Sequence, residues 1–250
     1  MDTWVGAGYA ASWKAKGTSR ENTVTEAEWL ACENSLPMLR HLGKKANGRK
    51  LRLFAVACCR PLLHLLTDER NRLAVEVAER YADKRAKRVE LRKAEQDSRE
   101  TVYLVYSPPR SAALAATRAA AYTAYKAAYE TSSLAQTARR RELTLPGGGW
   151  VEASSPHARL ARDIFGNPFR PAAISSTVLV WNDGLVVRLA QAAYDERHLP
   201  AGRLDNGRLA ILADALEEAG CTDADILGHL RGPGPHVRGC WAVDLCLGKS

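Results

Sequence analysis

The residues whose side chains could do chemistry are concentrated in the last thirty-one positions, from Gly220 to Ser250. Thiolate and imidazole are the ligands that zinc prefers in proteins, and Cys221, His229, His236 and Cys240 supply both. On one helix, His236 and Cys240 would share a face because they are four residues apart. These four residues are therefore a candidate structural zinc site, but their spacing is not that of a standard zinc finger and the sequence does not require a cofactor. In the alternative interpretation, both cysteines are small core residues and the histidines lie at helix ends.

The same segment offers a weaker pattern for catalysis. His236, Cys240 and Asp244 follow one another at intervals of four, which suggests a Cys-His-Asp set. We interpret Cys240 as lying inside a helix, where a thiol lacks the helix N-terminus that usually activates it. The sequence therefore predicts no catalytic residues and no cofactor besides zinc.

Positive charge is concentrated in the first part of the chain. The net charge is +8, with 26 Lys and Arg against 16 Asp and Glu in residues 1–150, and 10 against 12 in residues 151–250. No acidic residue lies between Glu33 and Asp68, so this stretch could contact phosphates. Its candidate contacts are Arg40, Lys44, Lys45, Arg49, Lys50 and Arg52. The alternative is that acids from elsewhere in the chain fold against these cations.

A second candidate anion site flanks the turn formed by Gly232, Pro233, Gly234 and Pro235. Arg231 and Arg238 lie on either side of this turn and could hold an anion at the start of the last helix. The turn itself is a poor phosphate cradle because its two prolines have no N–H to donate.

The composition and the absence of certain motifs argue against several classes of protein. No run of eighteen apolar residues exists, which argues against a membrane partner. Cys58 and Cys59 are adjacent in an apolar run, and the N-terminus makes a poor signal peptide, so we expect reduced thiols and a cytoplasmic protein. There is no Walker A sequence and no dinucleotide-binding fingerprint.

The elements that must position these residues are predicted to be helices. Thr25 and Glu28 form a capping-box pattern, and residues 49–66 are apolar nearly all round, as in a central buried helix that Pro61 should kink. Residues 110–142 predict one long alanine-rich helix, and the mixed-charge segment before it is predicted to project into solvent. The hairpin formed by residues 84–142 either protrudes or packs flat on the body. The predicted fold class is all-α, an irregular multi-helix bundle with a long hairpin.

Glycine-rich and proline-rich segments suggest the organisation of the chain. We predict an N-terminal extension over residues 1–24, an N-terminal helical region over 25–145, a glycine-rich loop over 146–156 and a C-terminal helical region over 157–250. In the last region, Thr222 and Asp225 repeat the capping-box pattern.

Several motifs in this chain are typical of one bacterial family. At DIFGNPFRP, from Asp163 to Pro171, at LADALEEAGCTDADILGH and at GPGPHVRGCWAVDL, the sequence resembles a family of bacterial proteins that is expanded in planctomycetes. LADALEEAG is also distantly similar to a motif of the repeat-companion domain of multidomain signalling proteins. The resemblance covers residues 25–250 and implies kinship with a family of unassigned function, so it transfers no catalytic residues.

These observations favour a non-enzymatic protein-interaction or scaffold module with a protein partner or self-association. The alternative is a nucleic-acid-associated protein that uses the basic stretch from Arg40 to Arg60. A third alternative is an enzyme of unrecognised type with a C-terminal pocket around Arg231, His236 and Cys240.

Overall fold

The computed structural model describes residues 24–43, 46–104, 109–121, 123–143 and 155–249. The fold class is all-α, as predicted, and the described part of the chain contains no strand. Two short 3-10 helices, Arg60–Leu65 and Val102–Leu104, accompany the α-helices. The α-helices are α1 (Glu26–Ala31), α2 (Ser35–Leu42), α3 (Gly48–Cys59), α4 (Glu69–Ala82), α5 (Arg88–Thr101), α6 (Pro109–Ala119), α7 (Ala124–Leu143), α8 (Ser155–Phe165), α9 (Ser176–Asp195), α10 (Asn206–Glu218), α11 (Ala224–Arg231) and α12 (Trp241–Cys246).

Helix α3 is the centre of the first of two cores. Every residue from Leu51 to Cys59 is buried, because α4, α6, α7 and α8 surround the helix. The all-round apolar pattern is thereby explained. At Pro61 the α-helix has given way to a 3-10 helix, which agrees with the predicted effect of proline at this position.

The second core is formed by helices α9 to α12. Tyr194 of α9 and Leu209, Leu212 and Leu216 of α10 are fully buried there, and Ile226 of α11 packs among them. Helix α8 belongs to the first core through Ala161 and Ile164, and it contacts α12 of the second. The segment around α8 is therefore where the two cores meet.

The predicted hairpin requires two corrections. The expected long helix over residues 110–142 is two helices, α6 and α7, which pack against each other and against α3. Their alanines, including Ala115, Ala116 and Ala128, are fully buried, because small side chains allow helix backbones to approach closely. The mixed-charge segment does not project into solvent either: α5 packs on α4 and α6.

Buried ion pairs and hydrogen bonds join the helices of the first core to those of the second. We call one group of the residues that form them the arginine network: Arg49, Asp83, Tyr194 and Asp244. The Arg49 guanidinium donates to both carboxylate oxygens of Asp244 at 2.6 and 3.1 Å and to Asp83 at 3.0 Å. The Tyr194 hydroxyl donates to Asp83 at 2.7 Å. Asp244 is fully buried, so the guanidinium of Arg49 supplies the cation that this carboxylate needs.

No helix in the described ranges is both long enough and apolar enough to cross a membrane.

Candidate metal centre

The first residue of the candidate site, Asp163, lies in the last turn of α8. Gly166 ends this helix with a positive φ of 67°, and a side chain there would meet the Trp241 indole at 3.1 Å. The Trp29 indole N–H donates to the Gly166 carbonyl at 3.1 Å and fixes the helix end to α1. Asp163 is thereby held at the boundary of the two cores, where it is 2% exposed.

The second residue, His229, lies in the last turn of α11. Asp223 begins this helix as its N-cap and accepts hydrogen bonds from the backbone amides of Asp225 and Ile226 at 2.9 and 3.1 Å. The predicted cap, Thr222, is therefore one residue too early. Proline at positions 233 and 235 prevents the helix from continuing beyond Gly232.

His236 and Cys240 do not share a helix face, which corrects the sequence-based interpretation. His236 lies in the irregular segment after α11, and its carbonyl accepts from the Leu204 amide at 2.9 Å. Cys240 is the N-cap of α12 rather than a residue inside a helix. The turn before it requires Gly239, whose φ is +91° and whose added side chain would come within 2.9 Å of Leu53.

Four potential ligand atoms converge in this place. The imidazole Nε2 of His229 lies 3.1 Å from Asp163 Oδ1 and 3.2 Å from the Cys240 sulfur. Nδ1 of His236 lies 2.9 Å from the same Asp163 oxygen. One ligand atom from each of the four residues lies within 4.8 Å of every other. We call Asp163, His229, His236 and Cys240 the DHHC cluster.

His236 leaves one ring nitrogen for a ligand. Nε2 of His236 lies 3.2 Å from the Gly232 carbonyl, and because a carbonyl only accepts, this nitrogen carries the proton. Nδ1 of a neutral His236 therefore has a free lone pair that faces the Asp163 carboxylate. Two acceptors at 2.9 Å repel each other unless a proton or a metal cation lies between them. A metal-binding histidine characteristically donates its other N–H to a carbonyl in this way.

The charges in the cluster favour a cation. Burial by itself would raise the pKa of Asp163, but hydrogen bonds from His229 and His236 outweigh it and lower that pKa. Burial opposes charge on His236, yet its hydrogen bond to Asp163 raises the pKa of this imidazole. Within 4.0 Å, the ionic partners of Asp163 in the described part of the chain are these two imidazoles, and the Lys50 ammonium interacts with it at longer range.

The Cys240 thiol is in a setting that suits a metal thiolate. Burial raises its pKa well above the usual range, and the Asp163 charge acts in the same direction. The amides of Val243 and Ala242 at the start of α12 donate to the sulfur and act in the opposite direction. A buried thiol of this kind stays protonated by itself, whereas coordination to a metal deprotonates it.

Comparisons with protein-family models, with curated protein sequences and with solved structures found no match. The function of the chain is therefore inferred from the geometry of its own residues.

The geometry does not form a Cys-His-Asp catalytic relay. Such a relay uses the two ring nitrogens separately, one toward the nucleophile and the other toward the carboxylate. Here Nε2 of His229 faces both Cys240 and Asp163. Asp244, the acid of the sequence-based triad, binds Arg49 in the arginine network instead. Convergence of all four side chains on one point is the pattern of a metal site.

The ligand distances are close to those of a zinc site without matching them. Zinc bonds of about 2.0–2.3 Å in a tetrahedron place neighbouring ligand atoms about 3.3–3.7 Å apart. Three pairs of the DHHC cluster lie at 2.9–3.2 Å and the separations within the cluster reach up to 4.8 Å, so binding of zinc would move some ligand atoms apart and others closer together. Nitrogen, sulfur and carboxylate oxygen ligands in four-coordinate geometry are typical of zinc.

The structure thus brings together three of the four residues predicted as zinc ligands, and Asp163 joins them. Cys221 lies outside this group, in the second core beside Cys246. No metal-ligand spacing pointed to Asp163, which is 66 residues before His229. The available signal was an acidic residue next to Ile164 and Phe165 at the end of a helix, since a buried carboxylate needs a partner.

The predicted anion contacts have intramolecular partners. Arg231 pairs with Asp214 and Glu217, both on α10. Arg238 donates to the Tyr194 carbonyl and lies within 4.0 Å of Glu79, Asp83 and Asp195. Both arginines therefore already have acidic partners within the chain, and the anion site on either side of the turn stays a prediction.

Most described cations of the basic stretch from Arg40 to Arg60 also have partners within the chain. Arg49 belongs to the arginine network, Arg52 is buried and donates to the Ala119 carbonyl, and the Lys50 ammonium donates to the Ile164 carbonyl. Arg40 binds the Tyr129 hydroxyl at 2.6 Å. Lys44 and Lys45 lie outside the described residues. In the described part of this stretch, acids, carbonyls and a tyrosine hydroxyl from other elements contact the cations.

A cavity of about 410 Å³ adjoins the DHHC cluster. His229 and Trp241 form part of its wall, and the His229 side chain is 21% exposed while those of Asp163 and His236 are each 2% exposed. An ion could therefore reach the cluster from the His229 side.

Proposed function

We propose that this protein is a zinc-binding helical module in which the metal holds the C-terminal helices against the N-terminal ones. The observation that carries the proposal is the convergence of one ligand atom from each of Asp163, His229, His236 and Cys240 within 4.8 Å. Asp163 comes from the helix that packs in the first core, and Cys240 is buried in the second. A bound ion would cross-link the two.

The number of ligands supports a structural role. Structural zinc sites take four protein ligands, whereas catalytic sites take three and keep one position for water or substrate. The DHHC cluster supplies four, and three of them are buried. The proposal therefore keeps the protein in the class of binding or scaffold modules, with zinc as a stabilising component of the fold.

Zinc would replace protons in the cluster. In the metal-free form, the two contacts of His236 require a proton on each of its ring nitrogens, and burial keeps the Cys240 sulfur protonated. Coordination would release about two protons, one from the imidazolium and one from the thiol. Calorimetric titration with zinc in buffers of different ionisation enthalpy measures this number.

The test is urea unfolding of the zinc-loaded and the chelator-treated protein. At free zinc about 1,000 times the dissociation constant, the loaded protein should be more stable by about 4 kcal/mol. Cys240→Ser should lose this gain. The matched control is Cys221→Ser, a buried cysteine of the same region outside the cluster, which should keep it.

Two results would contradict the proposal. One is equal unfolding free energies of the wild-type protein with and without zinc. The other is an equal loss of the zinc effect in Cys221→Ser and Cys240→Ser, since that would show that the DHHC cluster is not the site.

A further inference from the structure

A second cavity, of about 370 Å³, lies on another part of the molecule and contains an unusual concentration of arginines. Arg139 of α7, Arg159 of α8 and Arg203 of the segment before α10 line it. We call it the arginine cavity. None of the described residues that line it is an aspartate or glutamate.

These three arginines differ from four arginines that pair with acids elsewhere in the molecule. Arg49, Arg60, Arg231 and Arg238 each lie within 4.0 Å of at least one carboxylate. Among the residues whose side chains the structure describes, no carboxylate forms an ion pair with Arg139, Arg159 or Arg203. Three guanidinium groups at one cavity whose described wall holds no carboxylate create a field that attracts an anion.

His157 also lines the arginine cavity and is 6% exposed. Burial lowers the pKa of His157 to about 4, and the charge of Arg139 acts in the same direction. The imidazole is therefore neutral at pH 7, and the three arginines provide the positive charge.

The rest of the wall is apolar. Pro61, Pro156, Pro233 and Pro235 contribute rigid aliphatic rings, and the buried Leu62 and Leu160 also line the cavity. The volume lies within the range of about 300–1,000 Å³ that is typical of small-molecule sites. A ligand that fits this lining has a strongly anionic end and a flat or apolar end.

We propose that the arginine cavity binds a small organic phosphate. Guanidinium groups match phosphate oxygens in a bidentate manner, so Arg139, Arg159 and Arg203 would hold the phosphate while the proline-rich wall contacts the organic part. This proposal does not depend on the metal site, because none of its residues belongs to the DHHC cluster.

The experiment is calorimetric titration of the full chain at low salt with adenosine diphosphate and, separately, with pyrophosphate. We expect adenosine diphosphate to bind more tightly than pyrophosphate, because only the first has a ring system for the apolar wall. Arg159→Met and Arg203→Met, both at exposed positions, should each weaken adenosine diphosphate binding about tenfold.

Arg72→Met is the matched control. Arg72 is an exposed arginine of α4 that pairs with Glu69 and does not line the arginine cavity. This variant should bind adenosine diphosphate like the wild-type protein, and circular dichroism should show that all variants keep their helix content.

Each of three results would overturn the proposal. The first is no heat of binding with either probe. The second is an equal effect of Arg72→Met and Arg203→Met, which would indicate general attraction to a basic protein. The third is much tighter binding of a single-stranded oligonucleotide than of adenosine diphosphate, which would assign the arginines to nucleic-acid contact.

Discussion

The arginine network and the DHHC cluster are two buried polar groups that join the first core to the second. They balance their charge differently. In the arginine network, the carboxylates of Asp83 and Asp244 face the guanidinium of Arg49. In the DHHC cluster, Asp163 faces two imidazoles and a thiol. The first group contains its own permanent cation, whereas the second requires extra protons or a metal ion. The difference suggests that one group is fixed and the other is a site for an ion.

The largest effect should come from removing the permanent cation. Arg49→Met leaves Asp244 and Asp83 buried without their main partner, and breaking a buried ion pair in this way costs about 3–5 kcal/mol. Urea unfolding at pH 7 measures the loss. The exposed control Arg72→Met should change stability by less than about 0.5 kcal/mol, and an equal cost for both variants would contradict this account of the arginine network.

Exchanging one carboxylate in each group should separate their roles. Asp163→Asn should lower zinc affinity more than about 100-fold, since the loss of outer partners of a metal site alone costs 10–100-fold. Asp83→Asn removes an equally buried carboxylate from the arginine network and should leave zinc affinity nearly unchanged. Competition with a chromophoric chelator measures both. Equal losses would mean that zinc binding reports only the general integrity of the fold.

The pKa values of two buried histidines are shifted in opposite directions, and the shift of His157 should make the free energy of unfolding depend on pH. Asp163 raises the pKa of His236, whereas burial lowers that of His157 to about 4, below the value of about 6.5 in an unfolded chain. For His157, stability is therefore fully present above pH 6.5 and is lost as the pH falls through 4, by about 3 kcal/mol in total. His157→Gln should flatten the unfolding free energy over this range. An unchanged pH profile in the variant would show that His157 does not titrate as described.

The smallest effect concerns the cap that orients His229. Asp223→Ala removes two hydrogen bonds to the start of α11 and should cost about 1 kcal/mol in urea unfolding. Thr222→Ala, at the neighbouring position that the sequence pattern favoured, should cost only a few tenths of that amount. A reversed order would contradict the assignment of the cap.

The sequence was informative about local structure and about the types of the ligands. The capping box at Thr25 and Glu28 and the buried character of α3 follow from residue patterns, and the structure confirms both. His229, His236 and Cys240 stood out because imidazole and thiol groups are rare and were close together in the chain. Local spacing, however, assigned His236 and Cys240 to one helix, whereas the turn at Gly239 brings them together.

Long-range contacts explain what the sequence could not show. Asp163 joins the cluster because α8 packs where the two cores meet, and no local pattern encodes that contact. The basic stretch looked like a surface because Asp83 and Asp244, which neutralise Arg49, are distant in sequence. The alanine-rich hairpin was ambiguous for a related reason, since small side chains allow both exposure and close packing.

Cobalt substitution tests the central claim most directly, because the absorption spectrum of Co²⁺ reports its geometry and its thiolate ligands. The account predicts that one equivalent of Co²⁺ gives the intense visible bands of a tetrahedral site and a sulfur-to-cobalt charge-transfer band. That charge-transfer band should vanish in Cys240→Ser and persist in Cys221→Ser. A weak octahedral spectrum in the wild-type protein, or a charge-transfer band that survives in Cys240→Ser, would contradict the claim that Asp163, His229, His236 and Cys240 form the metal site.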